Sequence, residues 1–336
     1  MTAPGTATPE TRSGFVSTGT LPARQEVLAL IETAYAQFRD ERGGQVADYI
    51  PALAEANPAA FGICVANTRG DAFSLGDAEL PFSIQSVSKP FAFALVCDAL
   101  GADEAARRLG VDATGLPFNS IMAVELRADR TTNPLVNSGA IATTSLVPGG
   151  NAQERWQNVQ QGLSRFAGRP LGFDERVYQS EAATNQRNAG LAHLLRGYAR
   201  LYCDPDEATD VYTRQCSLLV TARDLAVMGA TLAGGGVNPL TGEQVVSAAT
   251  CSHVLAVMAT AGLYERSGSW LYEVGLPGKS GVSGGIVTVA PGKGAVATYS
   301  PPLDAAGNSV RGQLVTRFLS QRLGLNLFVS APAART

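Results

Sequence analysis

Apolar residues recur at Val27, Leu30, Ile31, Ala34 and Phe38, the spacing of an amphipathic helix of about three to four turns. Two short apolar runs then flank Thr68-Arg69-Gly70-Asp71 in "AFGICVANTRGDAFSLGD", which predicts a β-hairpin. Phe91 to Leu100 is apolar nearly all round, as a buried helix should be. Further helices are predicted over Glu181 to Leu201 and over Asp224 to Ala233. The second is opened by a capping-box-like start at Thr221 and closed by Gly234-Gly235-Gly236. "GGIVTVAPGKGAVATYSPP" holds two β-rich runs around Pro291-Gly292, and Val310 to Leu323 reads as a closing amphipathic helix. Residues 1–20 are rich in Thr, Pro, Gly and Ser without periodicity, and predict a disordered segment.

The order is therefore helix, hairpin, a long helical stretch from about 91 to 265, hairpin, helix, with no internal repeat. The economical α+β solution pairs the two hairpins in one antiparallel sheet and covers it with the terminal helices. The middle then becomes an inserted all-helical lobe. The predicted division is a sheet lobe from residues 21–85 and 266–332 and a helical lobe from 86–265, within one domain. A cleft between lobes is the natural ligand site. Ser86 sits where the first hairpin hands over to the helical lobe.

Net charge is -3 over 336 residues, which argues against a nucleic-acid or anionic-membrane surface and favours a small substrate. The five cysteines are odd in number, widely spaced and without a C-x-x-C pair, so a reducing compartment is expected. The start of the chain lacks the basic and apolar stretches of a secretory signal, and no apolar run approaches membrane-spanning length. The expectation is a cytoplasmic protein. The two histidines, His193 and His253, lie far apart without suggestive neighbours. No histidine-based metal site or cofactor is called for, and a general base must be sought elsewhere.

The chain carries three lysines against 23 arginines, yet Lys89 stands three residues after Ser86 at the mouth of an apolar helix. An arginine does not give up its proton, whereas a desolvated lysine does. On a helix, residues i and i+3 share a face, so Ser86 Oγ and Lys89 Nζ can meet, and Pro90 fits only a helix start. Burial would lower the lysine's pKa and make it a base for the serine. A capping serine beside a surface lysine is an equally ordinary reading of S-x-x-K alone. A second lysine lies in Lys279-Ser280-Gly281, which resembles the K-T-G element that accompanies S-x-x-K in penicillin-recognising serine enzymes. There Gly281 would let backbone approach a ligand, and the Val282 N–H could join that of Ser86 in an oxyanion hole. Taken alone, the segment also reads as a glycine-rich turn.

"PFSIQSVSKPFAFAL", "GLPFNSI", "NPLVNSGAIAT", "CSLLVTARDLAVMGATLAGGGVNPLTG", "LPGKSGVSGGIVTVAPG" and "SPPLDAAGNSVRG" together resemble the serine-dependent glutaminase family over about residues 24–325. The resemblance implies a β-lactamase/transpeptidase-like fold, hydrolysis of L-glutamine to L-glutamate and ammonia, no cofactor, and a homodimer or homotetramer. It implies Ser86 as nucleophile and Lys89 as base. Substrate contacts fall at Ser86, Asn137, Glu181, Asn188, Tyr212, Tyr264 and Val282, and Tyr49, the family's tyrosine near the nucleophile, and Tyr264 join Ser86 and Lys89 as catalytic residues. Glu181 suits the substrate α-ammonium, and asparagines and tyrosines suit its carboxylate and amide. Within a continuous helix, Glu181 and Asn188 would lie two turns apart on one face. Singly, each of these residues also has an ordinary packing or surface role.

The sequence departs from the family's commoner forms at Val136, at Ser138 and in "LGVDATGLPFNSI", without touching a proposed polar contact. Two alternatives stand beside glutamine hydrolysis. One is a β-lactam hydrolase or peptidase of the same fold, against which the missing S-D-N triplet counts. The other is a non-catalytic amino-acid sensor, against which the intact Ser86-Lys89 pair counts.

Overall fold

The structure is a computed structural model that describes residues 21–329. The segment predicted to be disordered, residues 1–20, lies outside them. Both predicted hairpins are present. β1 (Gly62–Asn67) pairs antiparallel with β2 (Ala72–Gly76), and β7 (Gly285–Ala290) with β8 (Gly294–Tyr299). β1 also pairs antiparallel with β8, Gly62 opposite Tyr299, so the two hairpins form one sheet. The short strand β6 (Gly278–Ser280) extends it to the order β2-β1-β8-β7-β6. β6 carries Lys279 and Ser280 as a strand in its own right, four residues before β7, and not as the beginning of the longer strand.

One face of this sheet is covered by α1 (Arg24–Phe38) and α13 (Val310–Arg322), whose apolar sides meet Ile63, Val65, Ile286 and Val296 in a common core. The other face packs on α10 (Ala222–Ala233), whose N-terminus is the expected capping box. There the Thr221 side chain accepts from the Asp224 N–H while the Asp224 carboxylate accepts from the Thr221 N–H. α10 is buried on every side, which its nearly unbroken apolar sequence allows. It links the sheet to the helices of the middle: α2 (Lys89–Leu100), α3 (Ala102–Leu109), α4 (Met122–Glu125), α5 (Asn137–Leu146), α6 (Ala152–Ala167), α7 (Glu175–Thr184), α8 (Gln186–Gly197), α9 (Pro205–Cys216) and α11 (Ala248–Ala261). α12 (Ser267–Val274) leads back to β6. The fold is thus α+β, an antiparallel sheet flanked by helices.

Two features differ from the sequence expectation. The single helix predicted over Glu181 to Leu201 is two helices. α7 starts earlier, capped by the Asp174 side chain, and breaks at Asn185, where φ is -94° and ψ 21°. Thr184 Oγ1 donates to the Ser180 carbonyl, a bond that competes with the helical ladder, and the Asn185 side-chain amide is anchored on Thr213 Oγ1 at 3.2 Å. Glu181 and Asn188 consequently lie on different helices, not two turns apart on one face. The second difference is a small sheet, β3 (Phe82–Ser83), β5 (Leu218–Val220) and β4 (Gly172–Phe173), which the pattern did not predict. Strands of two or three residues carry no alternation to read.

Candidate active site

Ser86 stands on a 3-10 turn, Gln85–Ser88, that runs directly into α2. Gln85 adopts φ 49°, a left-handed conformation that costs energy in a residue with a Cβ, immediately before the serine. Pro90 occupies the first turn of α2, where its missing N–H leaves no bond unmade. Ser86 makes no helix-capping bond, and Lys89 is 1% exposed, so the pair is not a cap beside a surface charge. Gly281, just past β6, comes up against this turn: a Cβ there would lie 2.9 Å from Val87 Cγ2 and 3.1 Å from the Ile84 carbonyl. Among the described residues, neither the Ser86 N–H nor the Val282 N–H has a hydrogen-bond acceptor.

A cleft of about 110 Å³ opens over Ser86, lined by Tyr49, Gln85, Asn137, Glu181, Asn188, Tyr212 and Val282 among others. That volume admits a molecule of amino-acid size. Seven of the nine residues singled out from the sequence therefore line one cleft. Lys89 and Tyr264 do not line it; both are buried, and Lys89 is bonded to the lining residue Asn137. Tyr49 is 53% exposed and stands at the mouth.

Lys89 Nζ donates to Asn137 Oδ1 at 2.7 Å and to the Leu135 carbonyl at 3.5 Å; among the described residues it does not donate to Ser86 Oγ, contrary to the direct bond expected across the first turn. The physical reason is acceptor strength, because a buried amine settles on amide oxygens before a hydroxyl. Asn137 passes the arrangement on. Its Nδ2 donates to Asn188 Oδ1 at 3.0 Å and its Oδ1 also accepts from Tyr212 Oη at 3.4 Å. Tyr264 stands beside Ser86, which favours the ionised form of its phenol against the larger effect of burial, and its hydroxyl donates to the Ser280 carbonyl at 3.1 Å.

Burial governs the charges. It lowers the Lys89 pKa to about 8, against the opposing pull of Cys216 and Glu181. It raises the Glu181 carboxyl to about 7, although the Gln85 amide at 3.2 Å and Lys89 favour its ionised form. Burial also pushes the Tyr264 and Tyr212 phenols up, so both stay protonated. The cleft thus pairs a serine with a lysine that is partly neutral near neutral pH, facing a carboxyl that waits for a cation.

Gln85 was not anticipated, although its amide is the direct partner of Glu181. Its adjacency to Ser86 was the available signal. Arg187 and Asn185 also line the cleft unforeseen, because the helix break that turns them inward was not legible. His193 lies on α8, 62% exposed and 3.4 Å from Asp206, and His253 on α11; neither lines the cleft. No group of three or more potential metal ligands occurs among the described residues.

A sequence profile for the family described as Glutaminase matches residues 44–328. The chain belongs to the glutaminase family. "Glutaminase 2" of Yersinia pestis is 58% identical over 318 residues, 95% of this chain and 94% of that one. Among solved structures, "Probable glutaminase ybaS" superposes with a TM-score of 0.90 at 45% identity, covering 91% of this chain and 99% of its own. The probable glutaminase from Bacillus subtilis complexed with 6-diazo-5-oxo-L-norleucine gives 0.80 at 32% identity, covering 90% and 96%. The family hydrolyses glutamine, so the chain is an amidohydrolase with the β-lactamase-like fold that the sequence motifs implied.

Proposed function

We propose that the chain hydrolyses L-glutamine to L-glutamate and ammonia through an acyl-enzyme on Ser86, with Lys89 as general base. The observation that carries this reading is a cleft serine backed by a fully buried lysine of lowered pKa. Ser86 Oγ attacks the side-chain amide carbon of glutamine and its proton passes to the Lys89 amine. Tyr264, beside Ser86, assists that transfer. The carbonyl oxygen, now an anion, meets the unpaired N–H groups of Ser86 and Val282. Collapse of this intermediate releases ammonia, which takes the proton, and leaves a γ-glutamyl ester that water cleaves. Glu181 holds the α-ammonium. Asn137, Asn188 and Tyr212 hold the remaining polar groups of the substrate, and Tyr49 closes the mouth.

An ammonia-release assay on glutamine, run beside asparagine and a chromogenic β-lactam, tests the substrate class. Ser86→Ala should abolish release while glutamine still binds. Mass spectrometry should find 6-diazo-5-oxo-L-norleucine attached at Ser86; attachment at a cysteine would overturn the mechanism.

Residues 21–332 act as one catalytic domain in this reading. A cytoplasmic setting accords with five free cysteines among the described residues and with the absence there of a helix long and apolar enough to cross a membrane. Assembly as a homodimer or homotetramer accords with the exposed Tyr272, Leu327 and Phe328, and light scattering on the purified protein measures it.

A further inference from the structure

The chain buries a second lysine that the reaction above does not use. Lys279, on β6, has no exposed surface, and among the described residues no carboxylate pairs with it. Its Nζ donates to the carbonyl of the next residue, Ser280, at 2.6 Å and lies 4.3 Å from the centre of the Tyr264 ring. That same Ser280 carbonyl accepts from the Tyr264 hydroxyl at 3.1 Å, and Tyr264 stands beside Ser86. One carbonyl oxygen therefore gathers a lysine amine and the phenol next to the nucleophile. Tyr264 itself adopts φ 54°, so its backbone does not hold it by preference. The strain persists because the surroundings over-determine the residue, with Ser267 Oγ donating to its carbonyl at 2.8 Å and Phe118 packed on its ring at 4.7 Å between centroids.

We propose that Lys279 is a positioning residue for the reaction: its amine, set between the Ser280 carbonyl and the Tyr264 ring, fixes the phenol beside Ser86. An amine over a phenol face is attracted by the ring's negative centre. A bond to the second lone pair of the Ser280 oxygen leaves the first for the tyrosine. The ring is then clamped on its face by Nζ and at its hydroxyl by Ser280. Lys279 touches neither substrate nor the reacting atoms. The burial that lowers its pKa well below the ordinary lysine value is consistent with an amine that has so few acceptors. The inference rests on the Ser86 mechanism, and wild-type turnover of glutamine is the control that tests that mechanism separately.

The experiment is a double-mutant cycle of Lys279→Met with Tyr264→Phe, read as kcat and KM on glutamine. In the wild-type background Lys279→Met should lower kcat roughly ten- to a hundredfold, the cost of a small misplacement near the chemistry, with KM within about twofold. In the Tyr264→Phe background the same change should cost less than about twofold, because the group it positions is gone. Equal losses in both backgrounds, or a loss confined to KM, would overturn the proposal. Lys279→Gln, which keeps an N–H for Ser280, should recover part of the loss and carries the cycle if the methionine variant does not fold.

A second measurement uses the intact chain. Protein labelled with 15N at the lysine side chains has only three signals, from Lys89, Lys279 and Lys293, which Lys293→Arg and Lys89→Met assign by elimination. Tyr264→Phe should move the Lys279 signal. An unmoved signal would mean the amine and the phenol are not joined, and would sink the idea.

Discussion

Of the three cations buried among the described residues without a carboxylate bonded to them, Lys89, Lys279 and Arg311, the first and the last behave differently. Arg311, on α13, is 2% exposed and donates to Ser300 Oγ at 2.8 Å and to the carbonyls of Arg39, Pro58, Ala59 and Ala60, with Phe61 beneath its guanidinium. Lys89, at the start of α2, is equally buried but has two acceptors, one of them distant, and a cleft at its side. The arginine is saturated, cannot lose its proton, and staples the segment before β1 to the closing helix. Burial pulls both pKa values down, but only the lysine's comes within reach of neutrality, at about 8, which leaves it able to accept a proton. Saturation marks a structural cation, and its lack beside a cavity marks a chemical one.

The sharpest way to break this contrast is to exchange the two chemistries. Lys89→Arg keeps a charge but removes the base, and steady-state ammonia release should fall by about a thousandfold or more, nearly as far as for Lys89→Ala. Rates within about tenfold of wild type would mean that another group takes the proton. Arg311→Met should leave the cleft chemistry intact in whatever protein folds. Stripping several buried carbonyls of their donor should nevertheless cost about 3 kcal/mol or more in denaturant unfolding. A loss of kcat without loss of stability would reverse the roles assigned to the two residues.

Glu181→Gln should cost about 3 kcal/mol in kcat/KM, since the substrate ammonium is left buried without its counter-charge. N-acetylglutamine should for the same reason be a very poor substrate. Turnover of N-acetylglutamine at the rate of glutamine would remove Glu181 from the pocket's reading of the amino acid.

The pH profile is a smaller effect and separates the two titrating groups. Glu181 must be ionised to hold the ammonium and Lys89 must be neutral to accept a proton. Their pKa values are shifted towards each other, to about 7 and about 8. kcat/KM should therefore rise with pH through both values and fall away below 7. Glu181→Gln should erase the lower limb and keep the upper.

The smallest effect concerns stability. A lysine whose folded pKa lies below its unfolded value destabilises the fold at every pH where the unfolded chain holds the proton more tightly. That penalty grows as pH drops from about 10.5 towards about 8 and is then constant. Lys89→Met should accordingly raise the melting temperature near neutral pH while abolishing turnover. A lowered melting temperature would show that the amine's bond to Asn137 outweighs its desolvation.

Much of the scaffold was legible because its elements are long or sharply punctuated. The stripe of α1, the turns at Arg69-Gly70 and Pro291-Gly292, and the Thr221 capping box each carry their own local signal. The break at Asn185 was not legible, since Thr184, Asn185 and Gln186 are not strong helix breakers and the anchor of the Asn185 side chain, Thr213, lies on another helix. Gln85 was missed for a related reason: its side chain reaches Glu181, 96 residues later, only because its backbone turns left-handed.

By itself the sequence determined the kinds of chemistry present. Histidine is nearly absent, lysine is scarce, and a serine stands three residues before one of three lysines at a helix mouth, conditions that narrow the base before any coordinates exist. Which acceptor Lys89 uses, that Tyr264 stands beside Ser86, and that Glu181 and Asn188 line one cleft from two separate helices were decided by tertiary structure alone. The reason is that a buried polar group takes the best partner that packing brings within reach. Packing is a property of segments far apart in the chain, whereas helix faces and turns are set by residues a few positions apart.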